Sequence, residues 1–357
     1  MKKRILSLLL ALVMIVGMLP TVALAADEAE PAEVADAQTE QVEPAGTKEE
    51  PAAPEAKLAE VSEQAANGSE TAVYAAPDTT KIGDKDYYQL DSKEDLEWFR
   101  DQVNSGNGTI NAVLTNDIDL RNENWTPIGT TADWVTTFSE NPFKGTFDGG
   151  GYTISGLKIE VSAGGVYGLF GATASPAKIQ NLVVRGSVAV TIPSSASMGY
   201  VAGVVGQTQN TILEQVASYV DVTGVNKNNG SNPSAVGGLV ANGYKATIIN
   251  CANYGTITST DSADGDYNRA NVGGLSGMSP YGGTLTIENS LNAGAVTGPY
   301  ASGLISVADS GTTVKNSVSL GNVTGKLGGT FTDCLATENT ISAGGVTTIT
   351  ALTDASK

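Results

Sequence analysis

The sequence predicts an all-β protein: a right-handed parallel β-helix, or β-solenoid, with a short N-terminal helix/strand cap, preceded by a signal peptide and a disordered linker. Three observations carry this. A pattern recurs with a period near 35 residues. Of the 42 Gly in the 357-residue chain, 39 fall in residues 77–357, about twice the usual density. The segments between Gly corners are short and β-branched and show no helical periodicity, the signature of stacked strand units.

The repeat reads as an apolar residue, any residue, Asn, a small or apolar residue, then Gly five and Val/Ile seven after the Asn. It appears as Ile179-Gln-Asn181-Leu, Ile248-Ile-Asn250-Cys, Ile287-Glu-Asn289-Ser and Val314-Lys-Asn316-Ser. A degenerate copy places Gln215 at the Asn position, and a truncated one places Asp333 there. A second signature precedes the copies: Tyr167-Gly-Leu-Phe170, Ala202-Gly-Val-Val205, Gly237-Gly-Leu-Val240, Gly273-Gly-Leu-Ser276 and Ser302-Gly-Leu-Ile305. Each copy would supply one coil, with equivalent positions about 4.8 Å apart. The Asn column is expected to form a side-chain amide ladder. Insertions at 225–233 and 260–271 should be loops on one face.

The elements follow in chain order. Lys2, Lys3 and Arg4 precede an apolar run over residues 5–19, a Pro20 break and an Ala23-Leu24-Ala25 cleavage site. That is a bacterial export signal over 1–25, leaving no membrane insertion after cleavage. Residues 26–80 form an acidic, Ala/Glu/Pro-rich linker that cannot bury enough apolar area to offset its chain entropy. With +3 in the leader and −11 over 26–76, residues 77–357 hold the remaining −10 of the net −18. Residues 81–141 read as the cap. Ser92-Lys-Glu-Asp95 opens a short helix over 92–104 with Leu96, Phe99 and Val103 on one face and Gly106 as its stop. Trp98, Trp125 and Trp134 belong to this cap. Strands are expected over 112–120 and 143–159, and repeats over 142–350. The tail 351–357 shows neither anchor nor cap and points to a truncated reading frame.

At these residues the sequence resembles a known family. The stretch Leu114-Thr-Asn-Asp117-Ile-Asp119-Leu120, then Trp125-Thr-Pro127-Ile128-Gly129 and Phe143-Lys-Gly145-Thr-Phe147-Asp148-Gly149, looks like the opening of bacterial surface proteins carrying GLUG-type repeats. The Gly-Leu signatures resemble the repeat itself. Such repeats occur in secreted or wall-attached proteins of gut bacteria, in filamentous adhesins and in the non-catalytic part of immunoglobulin A1 protease. The resemblance covers roughly residues 87–340. It implies an extracellular β-helical surface module and brings no catalytic residues.

Composition narrows the chemistry. The chain has no His, which removes Ser-His-Asp triads, Cys-His dyads and His-ligated zinc. A pI near 4.3 argues against nucleic acid, which needs clustered Lys and Arg. Cys251 and Cys334 each follow an Asn-like residue three coils apart, too far for a disulfide; two separate thiols filling a small core position are expected. Asp261, Asp264 and Asp266, with Asn268 and Asn271, have the oxygen chemistry of Ca²⁺ ligands but not an EF-hand spacing, so a solvated turn is the favoured reading and no metal or cofactor is assigned. Asp117, Asp119 and Asp148 sit in strand or turn motifs and could form a glycosidase-type carboxylate pair, yet Asp148 before Gly149-Gly150-Gly151 and Asp119 at a strand end stand where a turn demands Asp. No catalytic or cofactor-binding residue is assigned. Tyr200, Tyr219, Tyr244, Tyr254, Tyr267, Tyr281 and Tyr300 are spread along the repeats and could contribute to a glycan- or protein-binding face.

These readings converge on a monomeric exported bacterial protein, secreted or at the cell surface. Its work would be non-catalytic adhesion, ligand binding or display, with glycans or host extracellular proteins as partners. The alternatives are a carbohydrate-active β-helix enzyme, of lyase or glycoside hydrolase type, and the stalk of a larger protein.

Overall fold

The computed structural model describes residues 74–131, 140–196, 199–227, 234–261, 270–280, 282–323, 329–339 and 346–348. Among these the protein is almost entirely β. The strands form one 22-stranded sheet and one five-stranded sheet, and all the pairings given are parallel except that between Thr79–Ile82 and Lys85–Leu90. The first strand, Thr79–Ile82, begins inside the segment read as linker.

Parallel pairing places each repeat in register on the one before it. Ile179, Leu213, Ile248, Ile287, Val314 and Phe331 are successive partners in one column. All six are buried. The second signature forms another column: Phe170, Val205, Val240, Ser276 and Ile305. The degenerate copy at Gln215 and the truncated one at Asp333 therefore occupy full positions in a solenoid-like stack. The first column also extends backward through Phe147, Ala112 and Tyr88. Stacking thus begins upstream of residue 142.

The six Asn-like positions share a backbone conformation. Asn181, Gln215, Asn250, Asn289, Asn316 and Asp333 all have φ between 47° and 57°. This left-handed region is costly for L-residues, least so for Asn and Asp, whose short polar side chains bond locally. Asn250, Asn289, Asn316 and Asp333 turn the chain between two strands, while Asn181 and Gln215 bend it within the long strands Lys178–Ile192 and Val205–Asn226. Along this column Asn316 Nδ2 donates to Asn289 Oδ1 at 3.3 Å, an amide-to-amide bond of the kind expected, while Asn181 Nδ2 donates to Asp148 at 3.0 Å. The expected strands 112–120 and 143–159 are likewise broken by corners. They resolve into Asn111–Leu114 and Ile118–Asp119, and into Thr146–Asp148 and Thr153–Ser162. Gly150 and Gly151, at φ 59° and 85°, make the second break.

Three residues past each corner the chain points inward again. Val184, Ser218, Asn253, Asn292, Ser319 and Ala336 form this interior column, and none is more than 1% exposed where its burial is given. Asn253 Nδ2 donates to Asn292 Oδ1 at 2.9 Å. The second Gly of the Gly-Leu signature faces this column. A Cβ on Gly238 would lie 2.4 Å from Asn253 Cγ and 2.1 Å from Gly274 O. The Gly is thus required by the next layer's backbone carbonyl and the polar side chain packed against it, not by its own φ.

The helix spans Lys93–Asn104 with Ser92 as N-cap. Ser92 Oγ accepts from the Asp95 N–H at 3.2 Å, and Asp95 Oδ2 accepts from the Asp91 N–H at 3.2 Å. The reciprocal bond of the capping box therefore falls one residue earlier than the motif implies. Leu96, Phe99 and Val103 are buried, and Phe99 meets Phe143 and Phe147, each at 5.8 Å between ring centroids. Trp125 is buried with Nε1 donating to Leu169 O at 3.0 Å. Trp98 packs on Tyr88, and Trp134 lies outside the described residues.

Candidate functional site

The chain's alternation past each corner builds a channel on the outer surface. Residues one and three after the corner point inward; those two and four after it point outward. The outward pairs are Val183 and Arg185, Ala217 and Tyr219, Ala252 and Tyr254 in three consecutive layers. Val183, Ala217 and Ala252 line the floor of a groove of about 410 Å³. The corner residues Asn181, Gln215 and Asn250 form one wall, and Asp148, Gly150 and Gly151 stand at one end. At the other end the floor position becomes Leu291, the register partner of Ala252.

Tyr254 lines the groove opposite the corners and belongs to a stacked column. Tyr219 and Tyr254 rings lie 4.5 Å apart and 11° from parallel, and the Arg185 guanidinium sits 4.0 Å over Tyr219. Both Tyr219 faces are therefore covered, and the rings turn their edges outward. Burial pushes the Tyr219 and Tyr254 hydroxyls above the ordinary tyrosine range, with Arg185 opposing part of that effect at Tyr219. Both hydroxyls are protonated donors at neutral pH. The Tyr254 hydroxyl is buried and makes no hydrogen bond among the described residues. Sequence reading singled out these tyrosines without grouping them. The grouping signal is their offset of four from the Asn-like residue.

Of the other tyrosines, Tyr200 is not a surface residue. It is fully buried, and its hydroxyl is pushed up to about 12, chiefly by burial. Its neighbours Ala202, Ala235 and Ala241 form a small apolar cluster separate from the main core. Tyr244 carries Lys245 near its ring at 5.2 Å. Tyr300 is half-buried, and Tyr267 and Tyr281 lie outside the described residues.

The three candidate carboxylates are held by hydrogen bonds from their own turns and from the next layer. Asp117 Oδ1 accepts from the Thr153 N–H at 2.7 Å, and Asp119 Oδ1 from the Arg121 N–H at 2.8 Å. Asp148 Oδ1 accepts from the Gly150 N–H at 2.9 Å and from Asn181 Nδ2, while its Oδ2 accepts from Gln180 Nε2 at 2.7 Å. Asp264, Asp266 and Asn268, with the Asp261 side chain, lie outside the described residues; Asn271 is buried. No cluster of three or more His, Cys, Asp or Glu able to hold a metal occurs among the described residues.

Cys251 and Cys334 are free and buried. Their column reads Leu182, Val216, Cys251, Ser290, Ser317 and Cys334, so two serine layers separate the thiols. The small side chains cross-link neighbouring layers: the Val216 N–H donates to Cys251 Sγ at 3.5 Å, the Cys251 N–H to Ser290 Oγ at 3.2 Å and the Ser290 N–H to Ser317 Oγ at 3.2 Å. Each side chain in turn donates to the carbonyl two residues back, as from Ser290 to Glu288 and from Ser317 to Lys315, both at 2.8 Å.

No family model matches the sequence. Over 179 residues, 48% of this chain, it is 29% identical to halomucin of Haloquadratum walsbyi. The chain spans about 2% of that relative's length. No helix among the described residues is long and apolar enough to cross a membrane.

Proposed function

We propose that this chain is an exported, surface-displayed protein whose repeats form a right-handed parallel β-helix of the GLUG type, and that its work is non-catalytic ligand binding or display. One observation carries the reading. The carboxylates that could serve as acid and base are taken up by backbone N–H groups and amides of the stack, while the repeat leaves a regular channel outside. Fold alone does not give an activity; the disposition of these side chains argues for a surface that holds rather than cuts.

The leader, with its Lys2-Lys3-Arg4 start and Ala23-Leu24-Ala25 site, supports export. The likeness to a short stretch of a very long relative supports a module that works as one segment among many. Glycans or extracellular proteins are the partners this reading favours.

The test is expression with the native leader in a bacterial host. The reading expects a mature N-terminus at Ala26 in the wall or medium fraction and no shortening of any polysaccharide. Retention of residues 1–25 in the cytoplasm would overturn export. Polysaccharide cleavage lost in Asp148→Asn would overturn the non-catalytic assignment.

A further inference from the structure

We propose that the channel over the Gln215 and Asn250 layers is a binding site for a neutral oligosaccharide. The inference rests on the reading of the chain as a binding module and names the ligand chemistry of its surface.

The walls decide the chemistry. The corner residues Gln215 and Asn250 line one side with uncharged amide side chains. Ala217 and Ala252 leave a shallow apolar floor, and the opposite side presents the Tyr254 ring, whose hydroxyl lies buried beneath it with no partner among the described residues. Hydroxyl-bearing rings with apolar C–H faces match this combination. The volume of about 410 Å³ lies within the roughly 300–1,000 Å³ of small-ligand sites. Three layers span on the order of 10 Å, room for a short oligosaccharide segment.

Two competing occupants fit less well. An extended peptide docks by adding a strand to an open sheet edge, but the backbone beneath this channel is already paired in parallel on both sides. An acidic glycan needs cations. The charged group lining the channel is Asp148, and Arg185 is laid flat on Tyr219.

The fold supplies its own blocking variant. Ala252→Leu places in the channel the residue that the next layer carries at the same position, Leu291. It should therefore fold and fill the floor. Tyr254→Phe keeps the ring stack and removes one hydroxyl. Calorimetric titration of the full chain would use cello-, chito-, manno- and malto-hexaose, with oligogalacturonate and an extended polar peptide as controls. The proposal expects at least one neutral hexaose to bind, tenfold or more weakly in Ala252→Leu and about threefold more weakly in Tyr254→Phe, at unchanged unfolding temperature. It is overturned if no neutral hexaose binds, if only a control binds, or if neutral binding survives both variants. Those failures leave export and the absence of cleavage standing, because both are read in a separate experiment.

Discussion

Asn253 donates from Nδ2 to Oδ1 of Asn292 in the next layer, at 2.9 Å and with both side chains fully buried. Each amide also donates to the carbonyl two residues on, Gly255 for Asn253 and Gly294 for Asn292. The polar pair is tolerated in the interior because nearly every bond it can make is made. Asn253 Oδ1 is the exception, with no partner among the described residues.

That unpaired oxygen faces the layer of Ser218, the register partner of Asn253. Ser218→Asn should extend the ladder by one amide, stabilising the fold by about 1 kcal/mol. Asn253→Ala should cost about 2 kcal/mol, since it orphans Asn292 Oδ1 and Gly255 O. Denaturant unfolding of both variants checks the opposite signs.

Gly238→Ala should be among the most damaging small substitutions. Its Cβ would meet Asn253 Cγ at 2.4 Å and Gly274 O at 2.1 Å, and overpacking at backbone that cannot withdraw costs about 3 kcal/mol. Pairing it with Asn253→Ala should recover part of the loss. A double-mutant cycle reads that coupling.

At the corners, Asn250→Gly should be nearly neutral and Asn250→Ala should cost about 1 kcal/mol more, because φ is 54° there and alanine lacks both the freedom of Gly and the local bonding of Asn. Thermal melts of the two variants give the difference directly.

Neither thiol should react with a disulfide reagent in the native protein near pH 8, and two should be released on denaturation. Burial pushes Cys251 up to about 12 and raises Cys334. The folded-state values lie above the unfolded ones, so the neutral thiols contribute full stability below pH 9. That contribution falls as the pH rises toward 12, by on the order of 1 kcal/mol per pH unit for Cys251. Unfolding midpoints between pH 8 and 11 should show the decline, and Cys251→Ser, which copies Ser290, should reduce it.

The repeat was legible because its columns are chemically strict. Ile179, Leu213 and Ile248 must fill one narrow interior, and an apolar residue two before Gln215 still marked a full layer. The helix was legible because Leu96, Phe99 and Val103 follow a helical period. What stayed hidden were features that depend on the neighbouring layer. The Asn column reads equally well as a ladder or as a row of left-handed corners, and only φ separates them. Tyr200 and Tyr219 are the same residue type in similar surroundings along the chain, yet one is sealed in a small cluster and the other lies against Arg185. The channel needed register to become visible, since Ala217 and Ala252 carry no signal of their own.

Strands ending at Ile192, Asn226 and Asp261 are register partners, and the strands that follow, beginning at Gly199, Ala235 and Asn271, are aligned or nearly so. Connections of different length thus leave and rejoin the stack at one level. Lengthening or replacing one of them is a local edit that leaves every other pairing untouched. The strands on either side of these connections keep one register while the connections differ in length, so a library built only at 193–198, 227–234 and 262–270 would vary sequence outside the pairings that hold the stack together.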